Sequence, residues 1–256
     1  MPKMCPEEHP IELVLNGNAI ATFQLTKADL EDWAVGYLYA EGIIEGLDDV
    51  KDIFVQEGRV DVTLYLDWDP IEWEQKRKHF TAGCGRGVTF FSMTDVKQFP
   101  KVASRSSVNL SYLLKMRNRF SKQSPMYIET GGMHGACLLF DDEELIVRED
   151  IGRHNAVDKV IGYAIRNGLL AQDLVLMTTG RISYEMLAKA ARFGFSIIGS
   201  RTAATKQAVQ LANFLGIEVV GYMRGKMATV YTKQNLVIDD LQKTVTPIVS
   251  KNTVEK

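Results

Sequence analysis

The stretch Leu174-Val175-Leu176-Met177-Thr178-Thr179-Gly180-Arg181-Ile182-Ser183-Tyr184-Glu185-Met186-Leu187-Ala188-Lys189-Ala190-Ala191-Arg192-Phe193-Gly194-Phe195-Ser196-Ile197-Ile198-Gly199-Ser200-Arg201 decides the fold class. Leu174 to Met177 reads as a strand, Tyr184 to Phe193 as a helix and Phe195 to Ile198 as the next strand. The alternation continues downstream. Lys206 to Leu215 is a helix ended by Gly216, and Glu218 to Gly221 is a strand. Upstream, Arg153 to Asn167 is a helix. Ala136 to Phe140 and Leu145 to Arg148 flank an acidic turn, which makes them a hairpin. Strand and helix in alternation imply parallel strands joined by right-handed crossovers, with helices covering the sheet.

The first third reads as a small α+β unit. Ile11 to Leu15 and Ala19 to Leu25 flank Asn16-Gly17-Asn18, a hairpin signal. Thr26 and Asp29 offer an N-cap and an acidic first turn to a helix carrying Leu30, Trp33, Ala34, Tyr37 and Leu38, closed by Gly42. Val60, Val62, Leu64 and Leu66 alternate as in a half-buried strand, with Gly58 turning it back on Ile53 to Gln56. Asp67 to Lys101 is less regular and reads as the region between domains. Helical periodicity resumes from Ser107 to Phe120. The expected division is a small α+β domain over residues 1–105 and an α/β core over 106–256.

The composition is that of an ordinary globular chain: 256 residues, 46% hydrophobic and 24% charged. A net charge of −2 gives no general attraction to nucleic acid, so a phosphate-rich ligand needs a local basic cluster. No run approaches the roughly 18 apolar residues of a membrane span. The start, Met1 to Glu8, is charged and broken by proline, unlike a signal segment. The expectation is a cytoplasmic protein. Its cysteines, Cys5, Cys84 and Cys137, are too widely spaced for a disulfide framework or a zinc pair.

Three strand ends carry similar loops: Glu149 to Asn155, Thr178 to Ser183, and Gly199 to Thr205. Each offers an arginine (Arg153, Arg181, Arg201), small or hydroxylated residues and a following helix start. The carboxyl ends of parallel strands lie on one edge, where ligands bind. Helix N-termini present unpaired N–H groups there, and arginine matches phosphate geometry. The plainer reading is that Ser183 and Thr205 only cap helices and that the arginines are solvated or paired. The repetition favours a shared anionic, phosphate-bearing ligand.

Cys84 lies in Thr81-Ala82-Gly83-Cys84-Gly85-Arg86-Gly87. Its glycines make an accessible loop, and Arg86 can raise the thiolate fraction, which suits sulfur transfer. The same loop could be incidental. Cys137 sits in the apolar run Ala136 to Phe140 and reads as core. His134 enters a strand and His154 starts a helix; either could be satisfied by nearby backbone. Glu149-Asp150 could be an acid–base pair, but capping of the next helix is the preferred reading. No metal ligand set is expected.

These stretches together resemble the FdhD/NarQ family. The matching pieces are Thr130 to His134, Glu149 to Lys159, Thr179 to Met186, Ser200 to Thr205, Gly221 to Lys226, and Tyr231-Thr232, over roughly residues 10 to 235. The resemblance implies a cytidine-deaminase-like α/β/α sandwich with a mixed sheet, lacking the deaminase zinc, plus a smaller N-terminal α+β domain. It implies a homodimer. It implies a sulfur carrier that takes persulfide sulfur from a cysteine desulfurase and passes it to the bis-molybdopterin guanine dinucleotide cofactor of formate dehydrogenase, with GDP as an analogue. Cys84 stands at the family's cysteine motif. Tyr222, Met223, Arg224, Gly225, Lys226 and Met227 stand where the family binds the cofactor. The strand-end pattern adds Arg153, His154, Gly180, Arg181, Ser183, Ser200, Arg201 and Thr202. In one departure, some members carry CxxC where this chain has Gly87 as the second position, so Cys84 acts alone or with another thiol. Ala204 also stands where many members have proline. Two other readings remain: a cofactor-binding chaperone that moves no sulfur, and a nucleotide deaminase on the same fold.

Overall fold

The computed structural model describes residues 3–69, 102, 107–140 and 143–241. The central sheet has six strands in the order β11-β10-β9-β8-β6-β7. These are β6 (His134–Leu139), β7 (Leu145–Asp150), β8 (Val175–Thr178), β9 (Ile197–Ser200), β10 (Glu218–Arg224) and β11 (Met227–Val230). β8, β9 and β10 run parallel, while β6 is antiparallel to both β7 and β8. The sheet is therefore mixed, as expected. All four residues of β8 and of β9 are buried, which follows from helices covering both faces.

One face carries α4 (Arg153–Arg166), α5 (Tyr184–Phe193) and α6 (Lys206–Leu215). Val157, Ile161, Leu187 and Leu211 from these helices pack on Leu138, Leu176, Ile198 and Val219 of the strands. The other face carries α2 (Leu110–Lys122), whose Leu113, Met116 and Phe120 meet Cys137, Met177, Ile197 and Val220. The result is the α/β/α sandwich. α5 and α6 end where the alternation predicts, at Gly194 and Gly216, both with positive φ. A short helix α3 (Pro125–Thr130) leads into β6.

The N-terminal unit is a four-stranded sheet, β2-β1-β4-β3, under helix α1 (Leu30–Ala40). Its strands are β1 (His9–Leu15), β2 (Asn18–Leu25), β3 (Val50–Gln56) and β4 (Arg59–Leu64). β1–β2 and β3–β4 are the two hairpins, joined by a parallel β1–β4 pairing. Trp33, Leu38, Leu13, Val60 and Val62 form its core. The remaining strands, β5 (Val108–Asn109) and β12 (Val237–Ile238), pair with each other in parallel.

α1 and α4 cross with backbone against backbone. A Cβ on Gly36 would lie 1.8 Å from the Asp158 carbonyl oxygen, and one on Gly162 would lie 1.8 Å from that of Asp32. Glycine is required at both positions. Polar bonds fasten the same contact. Asp32, on α1, accepts from Arg148 Nε at 2.9 Å and from Arg166 Nη1 at 2.6 Å. Thr26 corrects the capping expectation: α1 starts after Asp29, at φ 54 and without a side-chain cap bond. Thr26 instead donates its backbone N–H to Asp150 Oδ2 at 3.1 Å, tying the N-terminal unit to the end of β7.

Among the described residues no helix is long and apolar enough to cross a membrane.

Candidate functional site

Strand register brings the candidate loops to one edge of the large sheet. His134 pairs with Asp150, Ala136 with Thr178, Thr178 with Ser200, and Gly199 with Val220. The start of β6 and the ends of β7, β8 and β9 thus share that edge. The β10–β11 hairpin, which carries Tyr222 to Met227, rises beside them.

Several hydroxyls on this edge are spent on the loops themselves. Ser183 Oγ accepts from Met186 N and Thr205 Oγ1 accepts from Ala208 N, so both are helix caps. Ser200, buried, donates to the Gly180 carbonyl at 2.6 Å and accepts from Thr202 N at 3.0 Å. That bond locks the β8 loop against the β9 loop. Gly180 is needed for another reason, because a Cβ there would lie 2.9 Å from Arg153 Cβ. The arginine's stem crosses directly over it.

On the β6–β7 side stand His134, Arg153, His154 and Glu185. His134 Nδ1 lies 3.3 Å from Thr179 Oγ1. Burial, then the positive charge of Arg153 and of His154, holds the His134 imidazole below its usual pKa. His154 Nε2 lies 3.1 Å from Glu185 Oε2. Arg153 Nε, His154 Nε2 and Glu185 Oε1 are buried without a well-formed hydrogen bond among the described residues. The expected capping of the next helix is met only in part: Glu149 caps an earlier helix instead, and Asp150 bonds only the N–H of Gly152, the residue before α4. Glu149 accepts from Met126 N and Tyr127 N at the start of α3, at 2.9 and 2.7 Å. Asp150 accepts from Gly152 N at 2.9 Å at the entry to α4.

On the β9–β10 side the edge is cationic. Arg201 donates through Nη1 to the Tyr127 hydroxyl at 3.1 Å, and Arg224 Nε donates to the Arg201 carbonyl at 3.2 Å. Tyr222 has φ 50 and donates its N–H to the Thr202 carbonyl at 2.9 Å. Gly225, at φ 58, makes the hairpin turn. Arg224, Lys226 and Met227 are exposed, while Met223 is buried against Gly199. Arg181 is exposed and points from the end of the β8 loop without an ion pair among the described residues. A small, shallow recess, no larger than a water molecule or so, lies here between Arg117, Arg201, Thr179, Ser200 and Met223.

Of the expected residues, Arg201, Thr202, Tyr222 and Arg224 come together, and Arg153 and His154 gather farther along the edge. Ser183 and Ser200 hold the loops, and Met223 packs inward. Cys84, with Arg86 and Gly87, lies outside the described residues. Arg117, Tyr127 and Glu185 were not singled out. Nothing in the spacing of Met116-Arg117-Asn118-Arg119 separates Arg117 from a surface arginine; only the packing of α2 does. Among the described residues no group of three His, Cys, Asp or Glu side chains could hold a metal ion.

Comparison with known proteins gives one consistent answer. The FdhD/NarQ family model matches residues 6–238. The sulfur carrier protein FdhD of Geobacillus kaustophilus is 33% identical over 90% of this chain and 89% of its own length. That of Bacillus subtilis is also 33% identical, over 88% of this chain and 87% of its own. The crystal structure of a Desulfotalea psychrophila protein, assigned as a formate dehydrogenase accessory protein, superposes with a TM-score of 0.75 at 25% identity, covering 93% of this chain and 92% of that one.

Proposed function

Because the chain belongs to the FdhD/NarQ family, we propose that it is a sulfur carrier required for formate dehydrogenase activity. The observation that carries this is identity of 33% over 90% of the chain to a protein named as a sulfur carrier, with the fold retained. Cys84 accepts the sulfur. Its thiolate attacks the terminal sulfur of a persulfide on a cysteine desulfurase; a new S–S bond forms at Cys84 and the desulfurase thiolate leaves. The acceptor is the bis-molybdopterin guanine dinucleotide cofactor, handed on to formate dehydrogenase.

The strand-end edge suits such a cargo. It gathers the guanidinium groups of Arg201 and Arg224, whose fork geometry suits phosphate oxygens. A homodimer places two such edges in one particle, which matches a cofactor with two guanine ends. The setting is the cytoplasm, where thiols stay reduced.

The test is intact-mass analysis after incubation with a cysteine desulfurase and cysteine. The wild type gains one sulfur atom per chain, and Cys84→Ala gains none and fails to support formate dehydrogenase. If Cys84→Ala supports the enzyme fully, the chain is a cofactor chaperone rather than a carrier.

A further inference from the structure

We propose that the open face of the N-terminal sheet, around Phe54 on β3 and Tyr65 just after β4, is the docking surface for the protein that donates sulfur. The donor meets it with a basic patch set around an apolar side chain. The dock rests on the sulfur-carrier reading above and gives its donor a place to bind.

Charge is divided unevenly along the chain. Residues 1–69 hold four basic and fifteen acidic side chains, a net −11, in a chain whose total is −2, so the remainder stands at +9. Part of this acidity is spent inside the molecule. Asp29 and Asp32 face Arg148 at 3.3 and 2.8 Å, Glu31 and Asp32 face Arg166, and Glu45 faces Arg192 at 3.1 Å. Those acids lie on α1 or beside it, where the unit packs on the core. The opposite side of the sheet keeps its charge. Val60 and Val62 of β4 are buried under α1, so Asp61 and Thr63 between and beyond them lie on the open face. Register sets Asp61 opposite Phe54, and Thr63 opposite Asp52. Arg59, on the same face, is shared by two acids: its Nε donates to Asp61 at 2.8 Å and its Nη1 lies 3.5 Å from Glu12. Asp48 and Asp52 are exposed and have no ion pair among the described residues.

Aromatic surface stands within this acidic field. Phe54 is 59% exposed and Tyr65 70%. The Tyr65 N–H donates to the Asp49 carbonyl at 2.9 Å, which holds Tyr65 beside the start of β3. β3 is the edge strand of its sheet, and Val55, next to Phe54, is exposed as well. Single exposed apolar residues are ordinary. A sheet edge that only had to be kept from aggregating would carry charge without aromatic rings. Rings at the centre and charge at the rim are the anatomy of a protein contact, in which buried rings supply affinity and rim charges steer the encounter.

The rim is acidic, so the occupant is basic. The cargo reading brings a client to the strand-end edge of the core. The open face is the side of the small sheet turned from α1, and α1 is the helix that packs on α4. A donor comes for Cys84, which follows β4 in the chain, and needs no access to the cargo edge. A second copy fits less well, because Arg148, Arg166 and Arg192 of the core are already paired within their own chain.

The experiment is calorimetry of a cysteine desulfurase onto the full chain, with sulfur loading followed by mass. Phe54→Ala weakens binding about tenfold or more, the loss expected of a central aromatic. Asp48→Lys combined with Asp52→Lys slows loading about tenfold at limiting donor and low salt, and the difference fades at high salt. At saturating donor both variants load at the wild-type rate, because the face holds the donor and takes no part in the transfer. Phe214→Ala, an exposed ring on α6, and Asp173→Lys, an exposed acid of the core, bind as the wild type does. Unfolding midpoints check that every variant is folded. The dock is overturned if the wild type does not bind the desulfurase, if Phe54→Ala and the double charge reversal bind it unchanged, or if Asp173→Lys loses as much as they do. It is also overturned if Phe54→Ala alters the number of copies in sedimentation, which would give the face to a second copy, or if the loss falls on formate dehydrogenase binding instead. Cys84→Ala binds the desulfurase like the wild type and takes no sulfur. A wild type that binds but takes no sulfur sinks the carrier reading and leaves the dock standing.

Discussion

Lys159 Nζ lies 2.7 Å from Asp150 Oδ2, and neither side chain has any exposure to solvent. The ammonium also meets Thr26 Oγ1 at 2.6 Å and the Glu149 carbonyl at 3.1 Å, so its donors are satisfied. The pair joins the end of β7, helix α4 and the chain just after β2. It therefore holds the N-terminal unit on the core, directly behind the strand-end edge. Removing one partner strands the other as a buried charge. Lys159→Met should cost about 3–5 kcal/mol of stability, read by denaturant unfolding. The double variant with Asp150→Asn should cost less than the sum of the singles. A loss for Lys159→Met below about 1 kcal/mol would mean that the pair does not fasten the two units.

The crossing of α1 and α4 makes a second stability prediction. Gly36→Ala places a methyl group 1.8 Å from a backbone oxygen, which no rotamer can relieve. The helices must separate, and the cost should exceed the usual overpacking range of about 1–3 kcal/mol. Gly46→Ala is the control. Its φ of −177 is ordinary extended backbone and nothing lies within 4 Å of the added atom, so unfolding should be unchanged.

The C-terminal half of the fold was legible because its signals are local. A buried strand, a capped helix and a closing glycine recur from Val175 to Val220, and each is written within a few residues. The parallel pairing of β1 with β4 was not, since it joins two hairpins across a helix. Thr26 looked like a cap for the same reason. Its partner, Asp150, lies 124 residues away, and local spacing carries no record of such a contact. At the site, sequence located the edge through its arginines but not the division of labour along it. Ser200 reads as a ligand until its hydroxyl is seen to bond Gly180, and Arg117 reads as surface until α2 is laid against the sheet.

His134 gives a pH prediction. Its folded-state pKa lies below the ordinary 6.5, from burial first and then from Arg153 and His154, with Asp150 opposing. The unfolded chain therefore binds the proton more readily than the folded one. Stability linked to His134 is full above the unfolded value and falls as pH drops through the folded one. Between about pH 8 and about pH 5 the wild type should lose more stability than His134→Gln. Equal losses would show that His134 protonates in the folded protein as it does in the unfolded chain.

Burial separates Cys5 from Cys137 cleanly. Cys137 lies at the centre of β6 with no exposed surface, and burial pushes its thiol far above the usual range. A thiol that stays protonated is a poor nucleophile, and one sealed under α2 cannot meet a protein partner. Cys5, by contrast, is exposed. Brief alkylation of the native protein should label Cys5 and Cys84 and leave Cys137 untouched until denaturant is added. Cys137→Ala removes only the sulfur from a packed position, so it should cost about 1–2 kcal/mol while sulfur acceptance from the desulfurase persists. Cys5→Ala should accept sulfur as the wild type does. With both replaced, Cys84 is the sole thiol, and loading of one sulfur per chain on that variant would show that this carrier needs no second cysteine. Absence of loading there, with the fold intact, would make Cys5 or Cys137 a working partner and remove the single-cysteine route.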